Sequence, residues 1–196
     1  SSNNKFITNY HSRNVSHILR YKFDSILSTS RTVNNDNSKL TCRITGLENY
    51  SPKRLIIDKN LEINKRCFVI NDNNKANTII FHSSRNKKKL NHFKKKGIKL
   101  SYTDLDSNNN IDLNKVFLKA YSLGISSIII EGGKNLTNSV LKDKLINEFY
   151  LFKSKKNLGK LGENNIFNLK KKLNYFFKMK ENIVTFLDGE SITRYY

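Results

Sequence analysis

The sequence predicts an α/β domain in which helices flank a mainly parallel sheet and an antiparallel hairpin follows at the C-terminus. Three observations carry this. Runs such as Leu55-Ile56-Ile57 and Ile128-Ile129-Ile130 have strand length and no polar alternation, the pattern of fully buried strands. Between them lie stretches with apolar residues at helical spacing, two of them stopped by Gly97 and Gly124. Beyond Glu148 the pattern turns to extended segments around Gly189, which reads as a hairpin. Strands that alternate with helices pair in parallel through crossovers.

Element by element, Val15, Ile18 and Leu19 recur at helical spacing from Ser12, and the stretch ends where Asp24 precedes the strand Ser25-Ile26-Leu27. Arg31 to Ser38 reads as a polar loop and Leu40 to Ile44 as the next strand. Pro52 bounds Arg54-Leu55-Ile56-Ile57-Asp58, an apolar run expected to be buried throughout. Cys67 to Ile70 and Thr78 to Phe81 read as short strands. Leu90 and Phe93 mark a basic helix between Asn86 and Lys96, closed by Gly97 at a C-cap position. Then come a strand from Ile98 to Tyr102, a helix from Leu113 to Leu123, and a strand from Ile125 to Ile130 expected to be buried on both faces. Asn135 to Leu145 reads as a helix and Glu148 to Lys153 as a strand. The last quarter reads without a helix: Leu173–Lys180, Asn182–Asp188 and Ser191–Tyr196 are expected to be antiparallel strands.

A chain of 196 residues with 37% hydrophobic content suits one domain with a buried core. Lys and Arg number 36 against 16 Asp and Glu, a net charge of +20, which favours an anionic partner. The lysine runs, among them Lys87-Lys88-Lys89 and Lys94-Lys95-Lys96, also read simply as solvated helix faces and loops. Cys42 and Cys67 stand apart, without the Cys or His spacing of a zinc site, so no metal is expected, and two lone thiols suit a reducing, cytoplasmic setting. No run is long and apolar enough to span a bilayer. The opening Ser1-Ser2-Asn3-Asn4 carries neither a leader nor an initiator methionine, so the expectation is a piece of a longer chain.

Two constellations carry chemistry. In Ile128-Ile129-Ile130-Glu131-Gly132-Gly133-Lys134 a strand ends in two glycines and opens directly into a helix. Glycine there admits a close backbone approach, and the helix N-terminus favours an anion such as a phosphate. The same residues also suit a plain tight turn. Glu131 stands at a carboxyl strand end, where ligands of open α/β sheets bind. The second constellation is Arg20, Thr32, Asp36, Leu40 and Arg43, read as a helix end, a polar loop and a strand start. Guanidinium groups match phosphate oxygens geometrically. A surface arginine pair with an Asx turn at Asp36 is the plainer alternative.

Phe6-Ile7-Thr8, Ser12-Arg13, His17, Leu19-Arg20, Asp24-Ser25-Ile26-Leu27, Thr32-Val33 with Asp36, Leu40-Thr41-Cys42-Arg43, Pro52-Lys53-Arg54-Leu55-Ile56-Ile57-Asp58 and Glu131-Gly132-Gly133 occur in one order. That order resembles the reductase domain of the bifunctional riboflavin-biosynthesis deaminase/reductase, over most of the chain. The resemblance implies a dihydrofolate-reductase-like fold that binds NADPH and reduces the ribosyl group of 5-amino-6-(5-phosphoribosylamino)uracil to ribityl. Residue by residue, Arg20, Leu40, Arg43 and Glu131 match substrate-contacting positions. Thr32, Asp36 and the turn Gly132-Gly133-Lys134 match cofactor-contacting ones. Glu131 is the carboxylate expected at the reacting end. The family often has Ser-x-Trp where this chain has Asn4-Lys5-Phe6, and Ser where it has Lys59. Asn4 is then expected on the substrate, and Phe6 and Lys59 on the cofactor. The resemblance also implies a domain spanning 1–196 that lacks its first strand and an upstream zinc deaminase domain, and that forms homo-oligomers.

Hydride transfer needs the nicotinamide held against the sugar with water excluded, so positioning outweighs acid–base chemistry. Competing readings are a same-fold reductase acting on the pyrimidine before deamination, a basic nucleic-acid-binding module, and an inactive domain that keeps the fold. The nucleic-acid reading lacks any helix-turn-helix, RNA-recognition or zinc-finger signature.

Overall fold

A computed structural model describes residues 7–155, 168–183 and 188–196. The chain divides into two units, Ile18–Gly132 and the pair of segments Ser1–His17 and Gly133–Tyr196. Helix α1 (Tyr10–Lys22) begins in one and ends in the other.

The unit Ile18–Gly132 is an all-parallel, five-stranded sheet in the order β4-β3-β2-β1-β5. Its strands are β1 (Ser25–Thr29), β2 (Lys53–Ile57), β3 (Thr78–His82), β4 (Lys99–Tyr102) and β5 (Ile128–Ile130). Helices α2 (Ser30–Asp36), α3 (Phe68–Asn71), α4 (Lys87–Lys95) and α5 (Leu113–Ser122) lie in the crossovers. Successive strand residues point to opposite faces. Ile26, Ile56 and Ile80 therefore pack with Val33, Val69, Ile70 and Phe93 of α2, α3 and α4, whereas Leu27, Leu55 and Phe81 pack with Val116 and Ala120 of α5. Two separate apolar layers explain why these strands lack polar alternation. Each of three helices starts on a side-chain cap: Thr29 accepts from the Thr32 amide, Asn86 from Lys89 and Asp112 from Lys115. Gly97 and Gly124 follow α4 and α5 with φ of +78° and +75°, which glycine adopts without a Cβ penalty.

Strand order reverses between β1 and β5, because β2, β3 and β4 step away on one side of β1 and β5 sits on the other. β5 pairs with β1 over three residues: Ser25 with Ile128, Ile26 with Ile129, Leu27 with Ile130. At its entry the Asp24 carboxylate accepts hydrogen bonds from the Ser126 and Ser127 amides, each 2.9 Å, and these bonds hold its pKa below the ordinary value.

The second unit holds β6 (Phe149–Lys153), β7 (Lys180–Ile183) and β8 (Ser191–Tyr195) in an antiparallel sheet, order β6-β8-β7, with α6 (Lys134–Lys142) and α7 (Leu169–Phe176). Leu141, Leu173 and Tyr195 form its buried cluster. The hairpin β7–β8 is the expected one, but it belongs to a separate sheet instead of edging the parallel one.

Several expected elements differ. The loop expected over Arg31–Ser38 is helix α2, built on the Thr29 cap and on burial of Val33. Leu40 to Ile44 is irregular, with Leu40 in the left-handed region at φ +53°, so no strand forms. The expected strand Cys67–Ile70 is instead the N-cap position and first three residues of helix α3. β5 is shorter than Ile125–Ile130 and only half-buried, as the end strand of its sheet. Leu173–Lys180 opens as α7, because Leu169, Leu173 and Phe176 share one face and pack into the unit's cluster. Residues 184–187 of the expected strand Asn182–Asp188 lie outside the described residues. Cys42 and Cys67 are buried free thiols. No described helix is long and apolar enough to cross a membrane.

His82 ends β3 and is 3% exposed, with no hydrogen-bond partner at Nδ1. Burial holds its pKa below the ordinary 6.5, against the opposing pull of a Ser84 backbone hydrogen bond and of the Asp58 carboxylate. The unfolded chain therefore takes the proton first as pH falls through 6.5, and stability declines until the folded-state pKa is reached. Urea titrations across this window are expected to show a stability slope that His82→Gln flattens; an equal slope in both proteins contradicts the assignment.

Candidate active site

The reversal point between β1 and β5 is where open α/β sheets bind ligands, outside the carboxyl ends of the strands. Glu131 leaves β5 there, its amide donating to the Leu27 carbonyl at 2.9 Å. Arg20, in the last turn of α1, forks onto it: Nε donates to Oε1 at 2.7 Å and Nη2 to Oε2 at 2.6 Å. Its Nη1 donates to the Thr41 carbonyl at 3.1 Å. One guanidinium thus braces the carboxylate against the irregular segment that carries Leu40 and Arg43. That segment is anchored from below as well. Leu40 is 2% exposed in the core, and Cys42 exchanges hydrogen bonds with the Ser51 hydroxyl, which accepts from its amide at 3.1 Å and donates to its carbonyl at 3.4 Å.

Arg43 differs from Arg20. Among the described residues its guanidinium has no hydrogen-bond acceptor and no carboxylate partner. Its pKa lies below the ordinary arginine value, first through partial desolvation of the guanidinium and then through repulsion by Arg20, with Glu131 opposing. The cluster is therefore one self-paired cation and carboxylate beside one cation that lacks an anion.

The other expected site residues fall as follows. Thr32 and Asp36 sit four residues apart on one face of α2, which starts at the carboxyl end of β1; the Thr32 hydroxyl meets that of Thr29 at 3.1 Å and Asp36 is exposed. Helical spacing thus groups the pair that was expected on a loop. Lys59, at the carboxyl end of β2, donates to the Asn109 carbonyl at 2.5 Å, and no described contact joins it to Arg20, Glu131 or Arg43. In the second unit Gly133 is the N-cap of α6, with no side-chain cap and Lys134 following it. Its φ of −75° is open to any residue, and a Cβ placed there meets nothing within 4 Å. The turn itself therefore does not require glycine; what glycine adds is open space before the helix N-terminus. Asn4 and Phe6 lie outside the described residues. The Thr41 carbonyl and the Thr29 hydroxyl are site groups that sequence reading missed. Thr29 stands where an N-cap does, at the end of a strand, whereas the carbonyl leaves no trace in side-chain identity.

Residues 1–189 match the RibD C-terminal domain family. The chain belongs to this family. The riboflavin biosynthesis protein RibD of Aquifex aeolicus (strain VF5) is 28% identical over 186 residues, 93% of this chain and 50% of that protein. The chain spans about half the length of the curated RibD relatives it matches. Among solved structures it is similar to the riboflavin biosynthesis reductase Rib7 of Saccharomyces cerevisiae, with a TM-score of 0.74 and 19% identity over 95% of this chain and 80% of that one. It is also similar to a diaminohydroxyphosphoribosylaminopyrimidine deaminase/5-amino-6-(5-phosphoribosylamino)uracil reductase of Thermotoga maritima, with a TM-score of 0.68 and 20% identity over 97% and 49% of the two chains. The fold is that of these RibD reductase neighbours, as the resemblance implied.

Proposed function

We propose that this chain is the NADPH-dependent reductase of riboflavin biosynthesis, reducing the ribosyl group of 5-amino-6-(5-phosphoribosylamino)uracil to ribityl. The observation that carries the reading is Arg43, a cation without an anion, set beside the Arg20–Glu131 fork at the sheet's reversal point. A sugar phosphate supplies the missing anion, and guanidinium–phosphate bonds are charge-assisted and directional. Both Glu131 oxygens accept from Arg20, so Glu131 enters the site as an acceptor that orients sugar hydroxyls. The Leu40 side chain is buried in the core, so at that position only backbone is available to a substrate. The name of the similar Thermotoga maritima protein carries the same uracil substrate.

The residues fit a phosphorylated dinucleotide on two separate counts. Thr32 and Asp36 offer a hydroxyl and a carboxylate on one face of α2, and at α6 the open space at Gly133 precedes an uncapped helix N-terminus. NADPH, when bound, supplies the hydride that reduces the sugar carbon. The chain's part is to hold the two reactants in register and exclude water, work that is worth several kcal/mol of barrier.

Loss of reduced-nicotinamide absorbance with NADPH and the uracil substrate tests the reading, with the undeaminated pyrimidine run in parallel. Turnover of the uracil compound is expected; turnover of the undeaminated compound alone reassigns the substrate, and turnover of neither overturns the reading. NADPH is expected to raise the melting temperature of the wild type and to leave Gly133→Val unmoved, since a branched side chain fills the space the backbone keeps clear. Equal shifts would remove this turn from the cofactor site.

A further inference from the structure

Between Arg85 and Lys99 the chain carries arginine and lysine and no acidic residue, and most of that stretch is helix α4. We propose that the outward face of α4, with Lys65 beside it, is a second binding surface, which takes the phosphate backbone of double-stranded nucleic acid without reading its sequence. It stands apart from the reductase reading: α4 leads into β4, the edge strand farthest from β5 and Glu131.

Leu90 and Phe93 turn into the core, which leaves Lys87, Lys88, Asn91, Lys94 and Lys95 exposed. Lys88 and Lys95 stand two turns apart on one face. Their separation of about 10 Å along the axis spans about three nucleotides of one strand. Past the helix end, Lys96 donates to Asn71 Oδ1 and, at 3.4 Å, to the Lys65 carbonyl, which sets the exposed Lys65 alongside. Among the described residues no carboxylate pairs with any lysine of α4 or with Lys65, and Asp72, next to Asn71, is committed to Arg54. His92 senses the resulting field. Its pKa lies below the ordinary 6.5, first through desolvation and then through repulsion by Lys65 and Lys96, with no carboxylate opposing.

Solvation alone does not account for where these charges stand. Lys87, Lys88 and Lys89 fill the first turn of α4, the end at which a helix dipole favours anions, and that turn holds no acidic residue. The fold bears a local electrostatic cost there that a bound polyanion reverses, and departures of this kind from local consistency gather at functional positions. A small anion needs donors that converge on one point, whereas these lysines are strung along a helix. α4 exposes no Phe, Tyr or Trp on which an unpaired base could stack, which favours a duplex over a single strand. Lysine on phosphate positions the partner and carries no sequence information.

The test is fluorescence anisotropy with two labelled DNA duplexes of about 20 base pairs and unrelated sequence, between about 50 and 200 mM salt. Wild type is expected to bind the two duplexes within about twofold of each other and to weaken by about tenfold or more across that range. Lys88 and Lys95 make no hydrogen bond or ion pair among the described residues, so neutralising them takes no pairing from the fold. Lys88→Gln with Lys95→Gln removes two phosphate contacts. Affinity at about 50 mM salt is then expected to fall by about tenfold or more, and the slope of log K against log salt to shrink by about 1.8. Lys170→Gln with Lys171→Gln makes the same change of charge at exposed lysines of α7, and is expected to leave affinity within about twofold of wild type. Saturating NADPH is expected to leave duplex binding unchanged. Equal losses in the two pairs would trace the binding to net charge alone, and displacement by NADPH would make α4 part of the cofactor site. A wild type that binds phosphatidylserine vesicles but not the duplexes would make the partner a membrane. Each of these overturns the proposal, as does a marked preference for one sequence or no duplex binding at the lower salt.

Discussion

Arg43→Ala is expected to lower kcat/KM for the phosphorylated substrate by about 100-fold or more, carried mainly by KM, with the melting temperature within about 3 °C of wild type. The two halves of this result have separate causes. Arg43 lies outside the buried core clusters and makes no hydrogen bond or ion pair among the described residues, so truncation takes no packing or pairing from the folded state. It removes both a repulsion with Arg20 and the opposing attraction of Glu131. The loss in efficiency has one source, the charge-assisted contact that only the bound phosphate completes. Steady-state kinetics beside a thermal melt decide it; unchanged efficiency removes Arg43 from the site, and a melt lowered by ten degrees makes it a structural residue.

The second large effect is one of stability. Arg54 is 1% exposed at the start of β2 and forks onto Asp72 at 2.9 and 2.5 Å, with its guanidinium carbon 5.9 Å from the centre of the Phe68 ring. Asp72→Ala leaves that guanidinium buried without a counter-charge, which costs about 3–5 kcal/mol. Removing both charges with apolar side chains of similar volume, Arg54→Met with Asp72→Leu, is expected to recover most of the loss, because the pair's desolvation cost disappears with it. Urea denaturation of the three proteins measures both steps. A loss below about 1 kcal/mol for Asp72→Ala would mean that water reaches Arg54.

How far the chain could be read from its residues depended on where the determinants lie. β2 and β3 were legible because each is a continuous apolar run sandwiched between two helical layers, and α4 and α5 because capping residues and a following glycine mark both ends. α2 was not, since Ser-Arg-Thr-Val-Asn-Asn-Asp carries a single apolar residue and owes its form to the Thr29 cap and the seat of Val33. Cys67–Ile70 is too short for its period to separate strand from helix. α7 was legible in principle, because Leu169, Leu173 and Phe176 stand at helical spacing. In the site, Glu131 and the glycine turn stood out because a strand, a turn and a helix meet there. The brace from Arg20 to the Thr41 carbonyl could not be read, because its acceptor is backbone.

The three isoleucines of β5 have a consequence for how its end is aimed. A strand usually chooses its register by which face is apolar, and a slip of one residue exchanges the faces. Ile128, Ile129 and Ile130 are chemically identical, so burial is indifferent to a slip; what such a slip changes is the direction of the next residue, Glu131. The choice is made instead at the other end of the strand, where the Asp24 carboxylate holds the Ser126 and Ser127 amides. β5 is in effect a ruler three residues long, zeroed at Asp24 and read at Glu131. An inserted or deleted isoleucine would leave composition and burial almost unchanged and turn the carboxylate away from Arg20.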